Sequence, residues 1–309
     1  MRNQNTAQHD PQQRAQHQDV AETNLKQGLQ ISDLRLSIRG KEVIKGIDLT
    51  LTPGQITGLA GESGSGKSLT GLTICGVLPE GSKATGEVLF QGQNLLHNSE
   101  KAQNRLRGSK IAMVFQDPTA SLHPMLSIGR QLTDHLRVHT GISKAAARQK
   151  AIETLRLVQV PDPEIALKKY PHQFSGGQLQ RIAIAIAIIC DPEILIADEP
   201  TTALDVTVQA GVLQLLRSLC DELDLAVLLI THDLGVMSSL ATRISVMREG
   251  VIVEEGERFE VLRRPQHAYT RALVQALPNH EPFLPGAVES SSTEVITVQE
   301  LTDKRDGEL

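Results

Sequence analysis

The stretch Gly61-Glu-Ser-Gly-Ser-Gly-Lys-Ser68 follows the short apolar segment Gln55–Ala60 and precedes a helix-like stretch that runs to Val77. It matches a phosphate-binding loop in the strand–loop–helix context that such a loop requires. Glycines let backbone N–H groups approach phosphates, and the dipole of the following helix adds partial positive charge. Lysine supplies a point charge for the β- and γ-phosphates, and the serine hydroxyl is a candidate Mg²⁺ ligand. The predicted nucleotide-binding residues of this loop are Gly61, Glu62, Ser63, Gly64, Ser65, Gly66, Lys67, Ser68 and Leu69.

Two carboxylates follow a second apolar segment. Ile194–Ala197 leads directly into Asp198 and Glu199. Ligands of parallel α/β sheets bind at the carboxyl ends of the strands, where these two side chains are expected. An Asp-Glu pair alone is commonly just a solvated turn, but beside a phosphate loop it indicates phosphoryl chemistry. Asp198 is then the candidate Mg²⁺ ligand, and Glu199 is the candidate base for the attacking water.

The other apolar patterns predict an α/β fold with a parallel sheet. Residues 29–38 and 47–51 alternate as strands do, 226–230 reads as a third buried strand, and 203–223 has the leucine and valine spacing of a helix. Strands that alternate with helices indicate parallel pairing. The run Ile182–Ile189 is apolar at every position, so its period alone does not distinguish a strand from a helix.

Three further motifs stand in a fixed order along the chain. They are Val114-Phe-Gln-Asp-Pro118, Phe174-Ser-Gly-Gly-Gln-Leu-Gln-Arg181 and Ile230-Thr-His-Asp233. Together with the phosphate loop and the acidic pair, they make the sequence resemble the ATP-binding cassette (ABC) ATPases over essentially all of 29–278. The resemblance implies a P-loop NTPase with a RecA-like parallel-sheet core, an N-terminal antiparallel β subdomain and an inserted helical subdomain at about 118–190.

The ends of the chain differ from this body. Residues 1–28 are rich in Gln, Asn, His and Asp, which favours a disordered extension. Residues 279–309 contain prolines, a serine run and mixed charges, and we expect a flexible tail there.

The second of the three motifs predicts an anion site that lacks a lysine. A serine hydroxyl, glycine amides and a helix N-terminus attract phosphate, so the segment 178–190 is expected to be helical. The resemblance implies that this half-site closes over the γ-phosphate of an ATP bound by another subunit, because two cassettes hold two ATP molecules head to tail. These signature residues are Ser175, Gly176, Gly177 and Gln178.

The resemblance also implies further roles. Glu199, His232 and Gln116 form the expected catalytic set, in which His232 contacts the γ-phosphate and helps to hold Glu199. The implied Mg²⁺ ligands are Ser68, Gln116 and Asp198. The implied dimer-contact loop is Ala203, Leu204 and Asp205.

Composition narrows the choice among ABC ATPases. The 309-residue chain carries a formal net charge of −5, and aromatic residues make up 2% of it, with no Trp. A polyanion-binding or base-stacking machine would need basic or aromatic surfaces. There is one phosphate loop, and no long heptad insertion is visible. An ABC ATPase acting on nucleic acid is therefore the alternative from a different class, and no nucleic-acid partner is expected.

The segment Arg264-Pro-Gln-His-Ala-Tyr-Thr-Arg-Ala-Leu-Val-Gln-Ala-Leu-Pro278 resembles the C-terminal hallmark of dipeptide, oligopeptide and nickel importer ATPases. The resemblance implies ATP and Mg²⁺ as cofactors and a place on the cytoplasmic face of the membrane. It implies as partners a paralogous ATPase subunit (or a homodimer), two membrane permeases and an extracytoplasmic substrate-binding protein. Peptides are the favoured cargo and nickel is the alternative. No cysteine follows Cys220, so no iron–sulfur cluster is expected.

The low number of aromatic residues bears on how the predicted site would bind the adenine base. ABC ATPases usually stack an aromatic side chain on adenine, upstream of the phosphate loop. This chain has no aromatic residue before Phe90, and the matching stretch is Leu36-Ser-Ile-Arg-Gly40. Arg39 or Ile38 is therefore the candidate for packing against the base.

Overall fold

The computed structural model describes residues 28–202 and 204–277. The proposed N-terminal extension (apart from Gly28), the C-terminal tail and Ala203 of the proposed dimer loop therefore lie outside the described residues. The strands are β1 Leu29–Ile38, β2 Lys41–Leu51, β3 Ile56–Ala60, β4 Ser82–Phe90, β5 Gln93–Asn94, β6 Ile111–Val114, β7 Ile194–Asp198, β8 Ala226–Thr231, β9 Arg243–Arg248 and β10 Val251–Glu257. The α-helices are α1 Lys67–Ile74, α2 Glu100–Leu106, α3 Pro118–Ser121, α4 Ile128–Thr140, α5 Lys144–Leu157, α6 Pro163–Ala166, α7 Gly176–Ile188, α8 Val206–Leu223, α9 Leu234–Leu240, α10 Arg258–Arg263 and α11 Ala268–Gln275.

The described strands form two sheets. A four-stranded antiparallel sheet has the order β2-β1-β4-β5, and a six-stranded sheet has the order β10-β9-β3-β8-β7-β6. Strands β9, β3, β8, β7 and β6 run parallel, while β10 pairs antiparallel with β9 at one edge. The predicted parallel core and N-terminal antiparallel unit are confirmed, and the larger sheet is mixed at that edge.

The central strands are buried on both faces, which explains their unbroken apolar sequences. Along β7, Ile194 and Ile196 pack with the antiparallel sheet and α1, whereas Leu195 and Ala197 pack with the helices on the other side. The residues of β8 alternate in the same way. Cores on both faces hold the carboxyl edge of this sheet in place.

The ambiguous run Ile182–Ile189 is helical. It lies mostly in α7, which begins at Gly176 behind the N-cap residue Ser175. Ser175 Oγ accepts the amide N–H of Gln178, and Gln178 Oε1 accepts the amide N–H of Ser175. This reciprocal capping box satisfies helix-start donors and explains why the motif, rather than the apolar period, decided the structure of this segment.

Helices α3 to α7 all lie between β6 and β7. Helices α4, α5 and α7 pack around one core that includes Leu132, Leu136, Ala151, Leu155 and Ile184. This stretch coincides with the proposed helical subdomain, whose boundaries stay a prediction. No described helix combines the length and the apolar character that a bilayer crossing requires.

Candidate functional site

The site is assembled at the carboxyl edge of the six-stranded sheet. Strand β8 lies between β3 and β7, and their registers pair Ala60 with Thr231 and Asp198 with Ile230. The phosphate loop after β3, His232 after β8 and the acidic pair at the end of β7 therefore leave the sheet at one level. These segments are far apart in the sequence, and parallel pairing brings them together.

The phosphate loop depends on backbone conformations that favour glycine. Gly61, Gly64 and Gly66 have φ angles of 147°, 83° and 112°, in the region that side chains rarely adopt. A Cβ atom on Gly61 would collide with the carbonyl oxygen of Met247 in β9. The loop then enters α1 at Lys67. The sequence-predicted loop has the expected place and the expected backbone shape.

Lys67 lies inside the loop and is only 5% exposed. Its Nζ atom donates to the carbonyl oxygens of Gly61 and Glu62, both at 2.8 Å. Burial lowers the pKa of Lys67, although the charges of Glu199, Asp198 and Glu62 oppose that shift. The ammonium group is thus held beside the space that the loop surrounds, where an anionic phosphate would compensate its burial.

Ser68 and Asp198 form the candidate metal-binding pair. The Ser68 hydroxyl donates to Asp198 Oδ1 at 3.0 Å. Burial raises the pKa of Asp198, the hydrogen bond from Ser68 and the charge of Lys67 oppose that rise, and the charge of Glu199 adds to it. A hydroxyl and a carboxylate are hard oxygen donors of the kind that Mg²⁺ prefers, together with phosphate oxygens and water. The residues present therefore fit a Mg²⁺–nucleotide complex.

Glu199 is surrounded by hydrogen-bond donors. Its Oε1 atom accepts from the backbone N–H of His232 at 3.1 Å and from His232 Nδ1 at 2.7 Å. Its Oε2 atom accepts from the hydroxyls of Thr202 at 3.0 Å and Thr231 at 3.3 Å. A carboxylate has about four acceptor positions, so its capacity is fully used in this arrangement. Because a carboxylate only accepts, His232 Nδ1 carries the proton of this pair.

The backbone of Glu199 is also unusual. Its φ angle is 50°, and its amide donates to the carbonyl oxygen of Ile230 at 2.8 Å. A non-glycine residue in this region is strained unless its surroundings hold it. The contacts from β8, Thr202 and His232 supply that support, and they turn the carboxylate toward the carboxyl edge.

The signature glycines lie beside Leu204 of the proposed dimer loop and beside the first turn of α8. A Cβ atom on Gly176 would touch Leu204, and one on Gly177 would collide with Val208. Asp205 is the N-cap residue of α8 and accepts the amide N–H of Val208 at 3.0 Å. Among the described residues, no hydrogen bond joins Ser175–Gln178 to this chain's own phosphate loop.

Gln116 and Arg39 lie outside the cluster of direct contacts. Gln116 is exposed in the loop that follows β6. Arg39 is exposed in the turn between β1 and β2, with a φ angle of 50°, and its amide donates to the carbonyl oxygen of Gly81 at 2.9 Å. Their roles toward Mg²⁺ and adenine stay predictions.

Three residues of the site carried no predicted role. Thr202 and Thr231 contact Glu199, and the hydroxyl oxygen of Tyr269 accepts the amide N–H of Glu62 at 3.0 Å. The threonines lie within or beside motifs quoted above, but a hydroxyl next to a motif is too common to be assigned from sequence. Tyr269 lies 207 positions from Glu62, and only the tertiary structure shows this contact.

The fold and the site define a nucleoside triphosphatase built on a phosphate-binding loop. The family model described as "ABC transporter" matches residues 44–202. A probable peptide ABC transporter ATP-binding protein of Sinorhizobium fredii is 45% identical over 275 residues, which cover 85% of this chain and 82% of that protein. The dipeptide transport ATP-binding protein of Bacillus subtilis is 47% identical over 239 residues, covering 77% of this chain and 71% of that protein. This chain belongs to the ABC transporter family, as an ATP-hydrolysing cassette.

Solved structures agree with this assignment. A cassette of an ABC transporter complex from Clostridium perfringens superposes with a TM-score of 0.68 at 28% identity, covering 81% of this chain and 95% of that one. A dimeric ATP-binding cassette in a post-hydrolysis state, with ADP and phosphate bound, gives a TM-score of 0.65 at 28% identity, covering 74% of this chain and 98% of that one. The resemblance inferred from the motifs is therefore confirmed.

Proposed function

We propose that this chain is the ATP-hydrolysing subunit of an ABC importer for dipeptides and oligopeptides. The convergence of the phosphate loop, Asp198, Glu199 and His232 at one sheet edge carries the ATPase part of the proposal. The cargo is inferred from relatives that are 44–47% identical and are named for peptide, dipeptide or oligopeptide transport. The C-terminal segment 264–278 also resembles importers of this kind.

We propose that Mg²⁺ binds together with the nucleotide. Ser68 and Asp198 would hold the ion, and Gln116 would approach it from the loop after β6. When bound, the ion would neutralise negative charge on the nucleotide phosphates. Lys67 then exchanges its loop carbonyl partners for phosphate oxygens, which lets its buried charge pair with an anion.

Glu199 is the proposed base for the attacking water. To accept a proton from water, Glu199 needs a free lone pair on its carboxylate. In this structure all of its acceptor positions are occupied by donors from Thr202, Thr231 and His232. One donor therefore has to move before water binds to Glu199. We propose that the His232 side chain moves. It is exposed and can turn toward the γ-phosphate, while Thr202 and Thr231 keep the carboxylate oriented.

We further propose that ATP is hydrolysed between two cassettes. Ser175 to Gln178 of one chain would cover the γ-phosphate held by the other, with Ala203, Leu204 and Asp205 at the contact. The partner would be a paralogous subunit or a second copy. Two permeases and an extracytoplasmic binding protein would complete the importer, with this chain on the cytoplasmic face of the membrane. Exposed Phe115, beside Gln116, supports contact with a permease near the loop that would sense ATP.

The test is ATP hydrolysis by the complex assembled with its co-purifying permeases and binding protein in lipid vesicles. We expect a mixture of di-, tri- and tetrapeptides to stimulate hydrolysis, and the Glu199→Gln chain to abolish the stimulated rate. Stimulation by Ni²⁺ and not by peptides would overturn the peptide assignment. Stimulation of the isolated chain by DNA or RNA, without membrane components, would overturn the transport assignment.

A further inference from the structure

The C-terminal helical segment touches the phosphate loop. Helix α11 begins at Ala268 and carries Tyr269 in its first turn. The phenol oxygen of Tyr269 accepts the amide N–H of Glu62, the second residue of the loop, at 3.0 Å. The same segment contains the hallmark residues 264–278, which the ATPase mechanism above does not use.

Tyr269 is held in place by its surroundings. The side chain is buried in a core with Ala60, Leu234 and Met237, and Ala60 is the residue directly before the loop. The guanidinium carbon of Arg248 lies 4.8 Å from the centre of the phenol ring. The ring therefore has little freedom, and its hydroxyl is presented at a fixed point beside Glu62.

The start of α11 is anchored to strand β10. The carboxylate of Glu254 accepts the backbone N–H groups of Gln266 at 2.7 Å and His267 at 3.0 Å. His267 is the N-cap residue, and its Nδ1 atom accepts the amide N–H of Tyr269 at 3.2 Å. These hydrogen bonds fix the position of Tyr269 relative to the carboxyl edge of the sheet. The hallmark residues thus orient one phenol group toward the phosphate loop.

The Glu62 peptide is fixed on both sides. Its N–H donates to Tyr269, and its carbonyl oxygen accepts from Lys67 Nζ at 2.8 Å and from the Ser65 amide at 3.2 Å. When nucleotide draws the Lys67 ammonium toward phosphate, the bond to Tyr269 is independent of that change. The hydrogen bond from Glu62 to Tyr269 therefore holds the first turn of the loop while the amides from Ser63 onward bind the anion.

We propose that Tyr269 is a positioning residue for ATP binding, which holds the phosphate loop in its binding shape through the Glu62 amide. Helix α11 then contributes to nucleotide binding through Tyr269, in addition to packing against the domain. A packing role needs only the ring, whereas this role needs the hydroxyl. The proposal rests on ATP binding by this chain and is independent of which cargo the transporter moves.

The decisive variant is Tyr269→Phe, which keeps the ring and removes the acceptor. In the full chain, we expect the dissociation constant for MgATP to rise about fivefold, the size of one net hydrogen bond. The matched control is Tyr170→Phe, which removes a phenol oxygen from a residue that is 41% exposed. Its affinity should stay within about twofold of the wild type. Unchanged affinity in Tyr269→Phe, or equal losses in both variants, would overturn the proposal.

Two further measurements separate positioning from packing. Amide hydrogen exchange of the peptide that contains residues 61–68 should be faster in nucleotide-free Tyr269→Phe than in Tyr170→Phe. Tyr269→Leu, which also removes the ring, should lower the thermal unfolding midpoint much more than Tyr269→Phe does. If the loop of Tyr269→Phe exchanges at the wild-type rate, the hydroxyl does not position the loop. If Tyr269→Phe is as destabilised as Tyr269→Leu, the hydroxyl acts through the stability of the whole chain, and the positioning proposal is overturned as well.

Discussion

At the scale of single residues, the carboxylate of Glu199, our proposed base, is oriented by its own backbone and by its neighbours. The left-handed backbone and four donors to the carboxylate give it one orientation. Energy stored in such a conformation is typical of functional positions, where the surrounding structure enforces it. The same donors occupy the lone pairs that a base needs. If Glu199 is the base, as we propose, catalysis requires the release of one of these contacts as well as the carboxylate itself.

The first prediction concerns Glu199→Gln. An amide of the same shape accepts no proton from water, so turnover should fall at least about 100-fold, in the range that loss of a general base produces. Binding of MgATP should stay within about threefold, because the phosphate loop is intact. Steady-state hydrolysis and ATP titration measure the two effects. Glu222→Gln makes the same chemical change on an exposed face of α8 and should leave both unchanged. Near-normal hydrolysis by Glu199→Gln would contradict the base assignment.

The second prediction concerns Asp198→Asn and follows from the raised pKa of Asp198. Burial is the main cause of the rise, so the ionised carboxylate costs folding free energy at neutral pH. The variant should unfold at a higher temperature than the wild type at pH 7.5, in the absence of Mg²⁺ and nucleotide. The advantage should shrink as the pH falls through the folded pKa toward the ordinary value of 3.8, because the wild type then becomes neutral as well.

The same variant should lose function while it gains stability. MgATP should raise the unfolding midpoint of the wild type much more than that of Asp198→Asn, because the proposed metal ligand is gone. A variant that is less stable than the wild type at pH 7.5, or one that MgATP protects equally well, would count against this account of Asp198.

At the scale of elements, the phosphate loop is shaped by the strand beside it. Gly61 passes so close to the backbone of Met247 in β9 that no side chain fits. The amide of Gly250, in the turn after β9, donates to the carbonyl oxygen of Ser65 at 3.0 Å. The loop therefore owes its conformation to β9 and Tyr269 as well as to its own glycines.

The third prediction is that Gly61→Ala destabilises the chain by about 2–3 kcal/mol and abolishes ATP binding, since the added methyl group has to displace backbone. Denaturant unfolding and ATP titration measure both effects. Gly92→Ala is the matched control, because Gly92 has a φ angle of 75° but open space around it. That variant should cost only about 1 kcal/mol from backbone strain and should bind ATP normally. Equal destabilisation in the two variants would show that the close approach to Met247 is unimportant.

At the scale of the whole molecule, the signature residues at the start of α7 make no hydrogen bond with this chain's own phosphate loop among the described residues. Ser175 and Gly176 are exposed, and the contacts of this region are made with α8. The capping box of α7 occupies the N3 amide, while the hydroxyl of Ser175 stands at the surface. This arrangement suits a surface that meets another cassette.

The fourth prediction uses Ser175→Arg in an assembled dimer. The bulky charged side chain should reduce hydrolysis at the partner's phosphate loop at least about tenfold, while this chain's own affinity for ATP stays within about threefold. Ser175→Ala controls for loss of the N-cap, which should cost about 1 kcal/mol of stability without added bulk. ATP titration of the single chain and turnover of the dimer distinguish the effects. If Ser175→Arg binds ATP as poorly as it supports turnover, action between subunits is contradicted.

Local pattern was sufficient for several elements of the body. The alternation of residues 47–51, the apolar segments before Gly61 and Asp198, and the helical spacing of 203–223 all correspond to observed elements, because burial on one or both faces dictates those periods. Helix α8 begins three residues later than the predicted segment 203–223, since Asp205 is its N-cap residue. Strand β4 and the α11 contact were not predicted, because a partly exposed strand and a distant tyrosine carry little local signal.

The sequence by itself determined the candidate chemical groups of this protein: a phosphate loop, a candidate metal-binding carboxylate, a candidate base and a helix start with the residues of an anion site, each encoded in a few adjacent residues. Short-range sterics and hydrogen bonding fix such motifs, so they can be recognised without a fold. The tertiary structure decided how those groups are held: the sheet order that places His232 between the loop and the acidic pair, the threonines on Glu199, and Tyr269 on the loop. Those contacts join residues that are distant in the chain, and only the packing of both sheets and the C-terminal helix determines which of them meet.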